Sequence, residues 1–439
     1  MPSGSHDSGD RERLSNLTAL RWFLFIIALL CVVGLSNVYS ATIYMNMENG
    51  ISPYFHVGRH VLYLGVGLIA ALICYRLPLS FLQNKRTIAL LAVVIIICLI
   101  FVAIGGTVVN GARRWISLGN AGSFQPSELA KVVAVLWAAS YLADLLRKKK
   151  MVSFLGGMVH WMLGRPFHGK RYQWPDIFEG YLPLIVPGIF SLFVIFQPDM
   201  GTAALILVFP VLLYVFCGAP WSDVFWSGLV AFAGLLLVAW AEPYRRERLQ
   251  VMFDPFAYAS DQGYQVVQSL IAVGSGGLKG QGAGEGLSKF LYLPEQYTDF
   301  AFAVLAQEWG FAGTSIILGL FAAVLIIGFR MAGRIPRVYP ALLVYGLTML
   351  ITVEGFLNIA MVIGIFPVTG VPLPFISFGG TALVTNCCAV GLIANAVKYG
   401  ERAAAEDERK RKLEVLAGKP VSLRKVSGAV FQPPGNRNW

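Results

Sequence analysis

Charge is what this chain has least of. Only 13% of its 439 residues are Asp, Glu, Lys or Arg, against 56% hydrophobic, whereas ordinary soluble domains carry about 25% charged residues. With a mean hydropathy of +0.64, that scarcity excludes the soluble globular classes and predicts a polytopic membrane protein. Cysteine is equally sparse. Cys31, Cys74, Cys98, Cys217, Cys387 and Cys388 all fall inside apolar runs, with no CxxC and no paired extracellular spacing, so they read as packing residues. His56 and His60 are four apart, a metal-like spacing, but no further ligands accompany them. Internal repeats are also missing: Phe-Gln-Pro recurs at 124–126, 196–198 and 431–433, but the third copy lies in the tail.

Long apolar runs are what the chain has instead. Ten of them, near residues 19–41, 59–78, 87–106, 127–146, 180–197, 199–218, 222–241, 299–328, 340–366 and 375–398, approach the roughly 20 residues a bilayer requires. The expected fold is therefore all-α with ten transmembrane helices. The first run suits a retained span better than a signal-peptide core.

Basic residues cluster between particular runs, so positive-inside topology accounts for the net charge of +11 better than nucleic-acid binding does. Arg76, Lys85, Arg86, Arg147 to Lys150, Lys170, Arg171, Arg330, Arg334, Arg337 and the tail all fall on one side, while residues 42–58 hold no Lys or Arg. Both termini are thus expected in the cytoplasm. Residues 1–18 read as a disordered polar N-terminus, 19–398 as the membrane domain and 399–439 as a charged cytoplasmic tail. Within the domain, 151–171 is expected as a cytoplasmic interfacial segment, and 242–298 as a large extracytoplasmic loop.

Four pieces break the apolar monotony, and a fifth contains Asp299. The first runs from Asn110 through Arg114 and Trp115 to Phe124-Gln125-Pro126-Ser127-Glu128 and Lys131. Pro126 suits a helix start, and Ser127 or Gln125 a cap. Glu128 and Lys131 share a helix face, either as a self-satisfying ion pair or facing a cavity. The second is Gln197-Pro198-Asp199-Met200-Gly201-Thr202, in which Asp199 can cap a helix. The third is the loop carrying Arg245, Arg246, Arg248, Lys279 and Lys289 with the glycine-rich run Gly274 to Gly282. Five basic residues against the positive-inside bias, beside glycine amides, predict an anionic ligand there. The fourth, Pro367 to Thr381, holds three prolines and cannot form a regular helix, so it is expected to line a cavity. Asp299, where a polar loop enters a helix, can act as a cap, proton site, metal ligand or catalytic base. Glu308 and Glu354 are intramembrane carboxylates, and Asn358, one turn from Glu354, offers it a structural partner.

Together with Gly263-Tyr264-Gln265 and the run from Leu293 to Phe300, these motifs resemble the SEDS (shape, elongation, division and sporulation) family of bacterial cell-wall proteins. The resemblance is RodA/FtsW/SpoVE-like with a lean to the division type, and covers about residues 20–400. It implies a multi-pass protein of the bacterial cytoplasmic membrane that polymerises lipid II into peptidoglycan glycan strands. It further implies release of undecaprenyl pyrophosphate, with a class B penicillin-binding protein as transpeptidase partner alongside other divisome or elongasome proteins. The family's catalytic aspartate falls on Asp299, acting as a base or through a divalent cation, Mg or Mn. Substrate contacts are expected from Lys131, Glu128, Arg114, Gln125, Ser127, Glu295, Thr298, Lys289 and Ser377. Tyr297 stands where the family usually has His, and Gln307 where it often has Glu, so neither position is given a proton-transfer role. Two other classes stay open: a flippase or transporter for a lipid-linked precursor, and a non-catalytic scaffold for the transpeptidase.

Overall fold

The structure is a computed structural model. It describes residues 6–109, 112–119, 122–148, 174–218, 243–261, 263–287 and 293–416, with residue 290 and a few isolated positions between 225 and 240. Helix α1 (His6–Glu48) takes in residues 6–18 of the polar N-terminal stretch as well as the first apolar run. It is followed by α2 (Phe55–Arg76), the short α3 (Leu79–Gln83), α4 (Lys85–Gly105), α5 (Pro126–Lys148), α6 (Trp174–Phe196) and α7 (Met200–Phe216). Two shorter helices, α8 (Pro243–Phe253) and α9 (Tyr264–Ser275), lead to α10 (Ala301–Gly333), α11 (Val338–Val362) and α12 (Gly380–Leu416). Among the described residues, 8 helices are long and apolar enough to cross a membrane, and α7 is a shorter apolar one. All but a few positions of the expected span at 222–241, and the whole interfacial segment at 151–171, lie outside the described residues.

Burial sorts these helices into an inner and an outer set. The apolar windows of α11, α5 and α12 are 83%, 78% and 78% buried, whereas those of α2 and α4 are 11% and 28%. Exposed Leu68 and Ile69 on α2 and Ile97 and Phe101 on α4 are the surface that a lipid environment solvates. The inner helices carry the buried charged residues Glu128, Lys131 and Glu354.

An all-α fold is not the whole of it. Between α4 and α5 lies a three-stranded antiparallel sheet, β1 (Thr107–Val109), β2 (Ala112–Ser117) and β3 (Ser123–Phe124), in the order β1-β2-β3. Val109 pairs with Ala112 and Ile116 with Phe124. The cause is visible in the residues: β-branched Thr107, Val108, Val109 and Ile116 favour extended backbone, and an Asn-Gly pair, here Asn110 and Gly111, is a strong hairpin signal.

The glycine-rich run is not an anion cradle. Helix α10 breaks at Gly310, whose φ of 65 and ψ of −168 are non-helical, and the loop after α9 packs into the break. Gln281 and Gly282 donate their amides to the carbonyls of Gln307 and Glu308 at 3.0 and 3.1 Å, while Phe311 and Ala312 donate to Gly277 and Leu278 at 2.8 and 3.1 Å. A membrane helix cannot leave such groups unpaired. Glycine is required because a Cβ on Gly280 would lie 2.1 Å from the Glu308 carbonyl oxygen.

Candidate active site

The first and fourth unusual pieces, with Arg248 from the third, meet the Asp299 segment around one cavity of about 1130 Å³ at the end of the bundle where α5, α10 and α12 begin, while the turn at 197–202 and the glycine-rich run do not line it. Arg114 and Trp115 reach it from β2, Arg248 from α8, Gln265 from α9, and Gly370 and Phe378 from the proline-containing loop. Three helix N-termini add partial positive charge at the same end. The entry loop to α12 stays irregular up to Gly380 rather than becoming helical at 375, since Pro372 and Pro374 interrupt it and Phe375 has a φ of 65.

Asp299 sits in a run of turns anchored at every third or fourth residue. Leu293, Gln296 and Phe300 are buried, at 2%, 2% and 1% exposure, leaving Glu295, Thr298 and Asp299 to line the cavity. Gln296 donates from Nε2 to the Ala41 carbonyl of α1 at 2.9 Å. Phe378 donates its amide to the Tyr297 carbonyl at 2.8 Å. Asn358 of α11 donates from Nδ2 to the Asp299 carbonyl at 2.7 Å. Three separate elements therefore hold the segment. Within it Glu295 occupies the left-handed region, φ 54, a conformation costing about 1–3 kcal/mol that persists only when its surroundings enforce it.

Of the roles open to Asp299, capping of α10 does not hold. The cap position falls on Phe300, with no side-chain cap, and Thr298 Oγ1 donates to Glu295 Oε2 at 2.6 Å. The Asp299 carboxylate is left facing the cavity. Burial is the largest influence on it, pushing its pKa up; Glu295 adds to the rise, Arg248 and Arg114 offset part of it, and Asp199 adds slightly, leaving it at about 7. A carboxylate titrating near neutrality is suited to accepting a proton. Arg114 is itself held in place, donating from Nε to the Gln197 carbonyl at 3.4 Å and from Nη2 to the Pro198 carbonyl. Arg248 donates from Nη1 to the Val368 carbonyl at 2.9 Å.

Asp199 caps α7, its Oδ1 accepting from the Thr202 amide at 3.2 Å. Its Oδ2 accepts from Gln125 Nε2 at 3.2 Å and lies 4.0 Å from Arg114, so it supports cavity residues from behind. Of the other expected substrate contacts, Arg114, Gln125, Glu295 and Thr298 line the cavity. Ser127, Glu128 and Lys131 do not: they are buried in the bundle at 1%, 3% and 1% exposure. Lys131 pairs with Glu128 at 2.9 Å and with Glu354 at 2.5 Å. Asn358 is thus not the partner of Glu354, and Glu308 of α10 accepts from Ser40 of α1. Ser377 is also interior, its Oγ accepting from the Leu373 amide at 2.9 Å to close the proline-containing turn. Lys289 lies outside the described residues.

Arg59 of α2 lines the opposite wall, donating from Nη2 to Tyr63 at 3.1 Å; its isolated place in an apolar run gave no motif to find it by. His56 and His60 do not pair on a metal. His56 Nδ1 shares a hydrogen bond with Asn46 Oδ1 at 2.6 Å, and both rings pack near Phe378. Among the described residues no three His, Cys, Asp or Glu converge on a metal position, and the cysteines there are free. Asp261, Glu295 and Asp299 are the described carboxylates lining the cavity, and the last two, from one segment, are the donor set that would suit Mg if phosphate oxygens completed the shell.

The family model covering FtsW, RodA and SpoVE, described as cell cycle proteins, matches residues 21–402. The chain belongs to the FtsW/RodA/SpoVE family. It is 35% identical over 382 residues to the probable peptidoglycan glycosyltransferase FtsW of Coxiella burnetii, covering 85% of this chain and 94% of that one. Stage V sporulation protein E of Bacillus subtilis is 33% identical over 378 residues, covering 86% and 96%. Among solved structures, one from a peptidoglycan synthase complex in which polymerization and crosslinking are coordinated matches with a TM-score of 0.63 at 25% identity, covering 86% and 96%. Thermus thermophilus RodA matches with a TM-score of 0.58 at 25% identity, covering 86% and 95%. Like its family, this chain is a multi-pass protein of the bacterial cytoplasmic membrane.

Proposed function

We propose that this chain is a peptidoglycan glycosyltransferase of the division and sporulation branch, polymerising lipid II at the extracytoplasmic face of the membrane. The observation that carries the reading is Asp299, its carboxyl raised to about 7 and flanked by Arg114 and Arg248 in a cavity at one end of the bundle. Asp299 takes the proton from the attacking sugar hydroxyl as the new glycosidic bond forms. The bond to the lipid pyrophosphate breaks, and the leaving group departs with its electron pair. Arg114, Arg248 and the three helix N-termini stabilise that developing charge. In the alternative role of Asp299, it and Glu295 would hold a divalent cation, Mg or Mn, which would supply neutralisation of the pyrophosphate charge.

The same reading has ten spans with both termini cytoplasmic. In its support, Arg76, Lys85, Arg330, Arg334 and Arg337 lie at the end away from the cavity. A class B penicillin-binding protein is the proposed partner, supported by the likeness to a synthase complex that couples polymerization to crosslinking.

The test is to incubate the purified protein, with and without its transpeptidase, with labelled lipid II and Mg. Polymer is expected from the parent and none from Asp299→Asn. Equal polymer from both sinks the assignment of Asp299. Transbilayer movement of lipid II without any polymer favours the flippase, and inactivity in both assays favours the scaffold.

A further inference from the structure

Asn358 is fully buried on α11, the most buried of the membrane helices, and both of its amide hydrogens are used. Nδ2 donates to the Asp299 carbonyl at 2.7 Å and to the Val371 carbonyl at 2.8 Å. Its Oδ1 is buried without a hydrogen-bond partner among the described residues. The orientation of the amide is nonetheless fixed, because turning it over would set Oδ1 against two carbonyl oxygens. Leaving a buried acceptor unpaired costs free energy, so packing alone gives no reason for an amide here.

The two carbonyls belong to the two segments that must keep register for the site to exist. One carries the Asp299 side chain. The other follows Gly370, a residue at φ +74 where a Cβ would lie 3.6 Å from Asp299 Oδ2 and 3.7 Å from Arg114 Nη1. We infer that Asn358 is a positioning residue for the reaction: its amide sets the Asp299 segment against the Gly370 loop and thereby the carboxylate against Arg114. This rests on the reading of Asp299 as the base. Misplacing a reacting group by about 1 Å can lower a rate by about 100-fold, whereas groups that bind substrate elsewhere in the cavity are untouched by the change.

The experiment uses the full-length protein with its transpeptidase partner and labelled lipid II, comparing Asn358→Ala, Asn358→Asp, Asp299→Asn and the Asp299→Asn/Asn358→Ala pair. Asn358→Asp is nearly isosteric and guards against a simple packing defect, and thermal unfolding in detergent reports the folded fraction of each. Expected for both Asn358 variants is a kcat lowered by about 10- to 100-fold with KM for lipid II changed little. The midpoint of the acidic limb of the pH profile should move, since the surroundings of Asp299 change. The double variant should be no worse than Asp299→Asn alone. An unchanged kcat in Asn358→Ala beside an inactive Asp299→Asn overturns the positioning role by itself. So does a loss that only follows the folded fraction, with the pH midpoint unmoved. Normal polymerisation by Asp299→Asn removes the underlying reading, and the role of Asn358 with it.

Discussion

Lys131 of α5 and Glu354 of α11 meet at 2.5 Å inside the bundle, and Glu128, one turn before Lys131, closes on the same ammonium at 2.9 Å. Two carboxylates thus share one cation where all three residues are at most 3% exposed. Removing the shared ammonium strands carboxylate charge in a low-dielectric interior, a change that typically costs about 3–5 kcal/mol.

For Lys131→Met the expected result is a large fall in thermal stability in detergent, preceding any question of activity. A neutral triple variant, Glu128→Gln/Lys131→Met/Glu354→Gln, should recover most of it. Were Lys131 instead a substrate contact, Lys131→Met would melt like the parent and bind lipid II poorly.

The carboxyl of Asp299 gives two pH predictions of opposite sense. As a base it must be ionised, so polymerisation should fall about tenfold per unit as pH drops below about 7. Stability runs the other way. The folded-state pKa is raised from 3.8 to about 7, so the folded protein binds the proton more tightly than the unfolded chain, and stability is lost as pH rises through that interval. Asp299→Asn should therefore melt higher than the parent at pH 8, with the difference shrinking toward pH 4. A stability difference independent of pH would contradict this.

Where the glycine-rich loop packs into the break of α10, neighbouring glycines should differ sharply. Gly280→Ala places a Cβ 2.1 Å from the Glu308 carbonyl oxygen at a residue with φ +82, whereas a Cβ on Gly274 meets nothing within 4 Å. Gly280→Ala should destabilise the protein by several °C and Gly274→Ala by almost nothing, as read by thermal unfolding. A ligand-cradling loop would instead lose binding in both with stability intact.

Gly370→Ala tests the cavity from the other side. Its φ of +74 penalises any side chain, and the added methyl would lie 3.6 Å from Asp299 Oδ2 and 3.7 Å from Arg114 Nη1. Activity should drop by about 10-fold or more while membrane insertion is unchanged, measured as polymer formed per folded protein. Full activity would show that the space beside the two charges is not used.

Much of this was legible in the residues. Scarce charge and twenty-residue apolar runs fixed the membrane class, because a bilayer admits little else. The motif around Asp299 and the proline-broken entry to α12 stood out for the same reason: polar or irregular backbone at that depth needs a cavity. The small sheet was overlooked although Asn110-Gly111 announces a hairpin. Sequence could not decide among partners, since charge pairs and amide contacts depend on which helices adjoin. Glu128 and Lys131 looked identical as a cavity pair or an interior one until α11 brought Glu354 to them. The glycine run read as an anion site until the break at Gly310 supplied carbonyls for its amides. Asp299 was identifiable by its position at a helix entrance, but its pKa near 7 arises from Glu295, Arg248, Arg114 and burial acting together. The field of that constellation exists only when segments far apart in the chain are packed into one place.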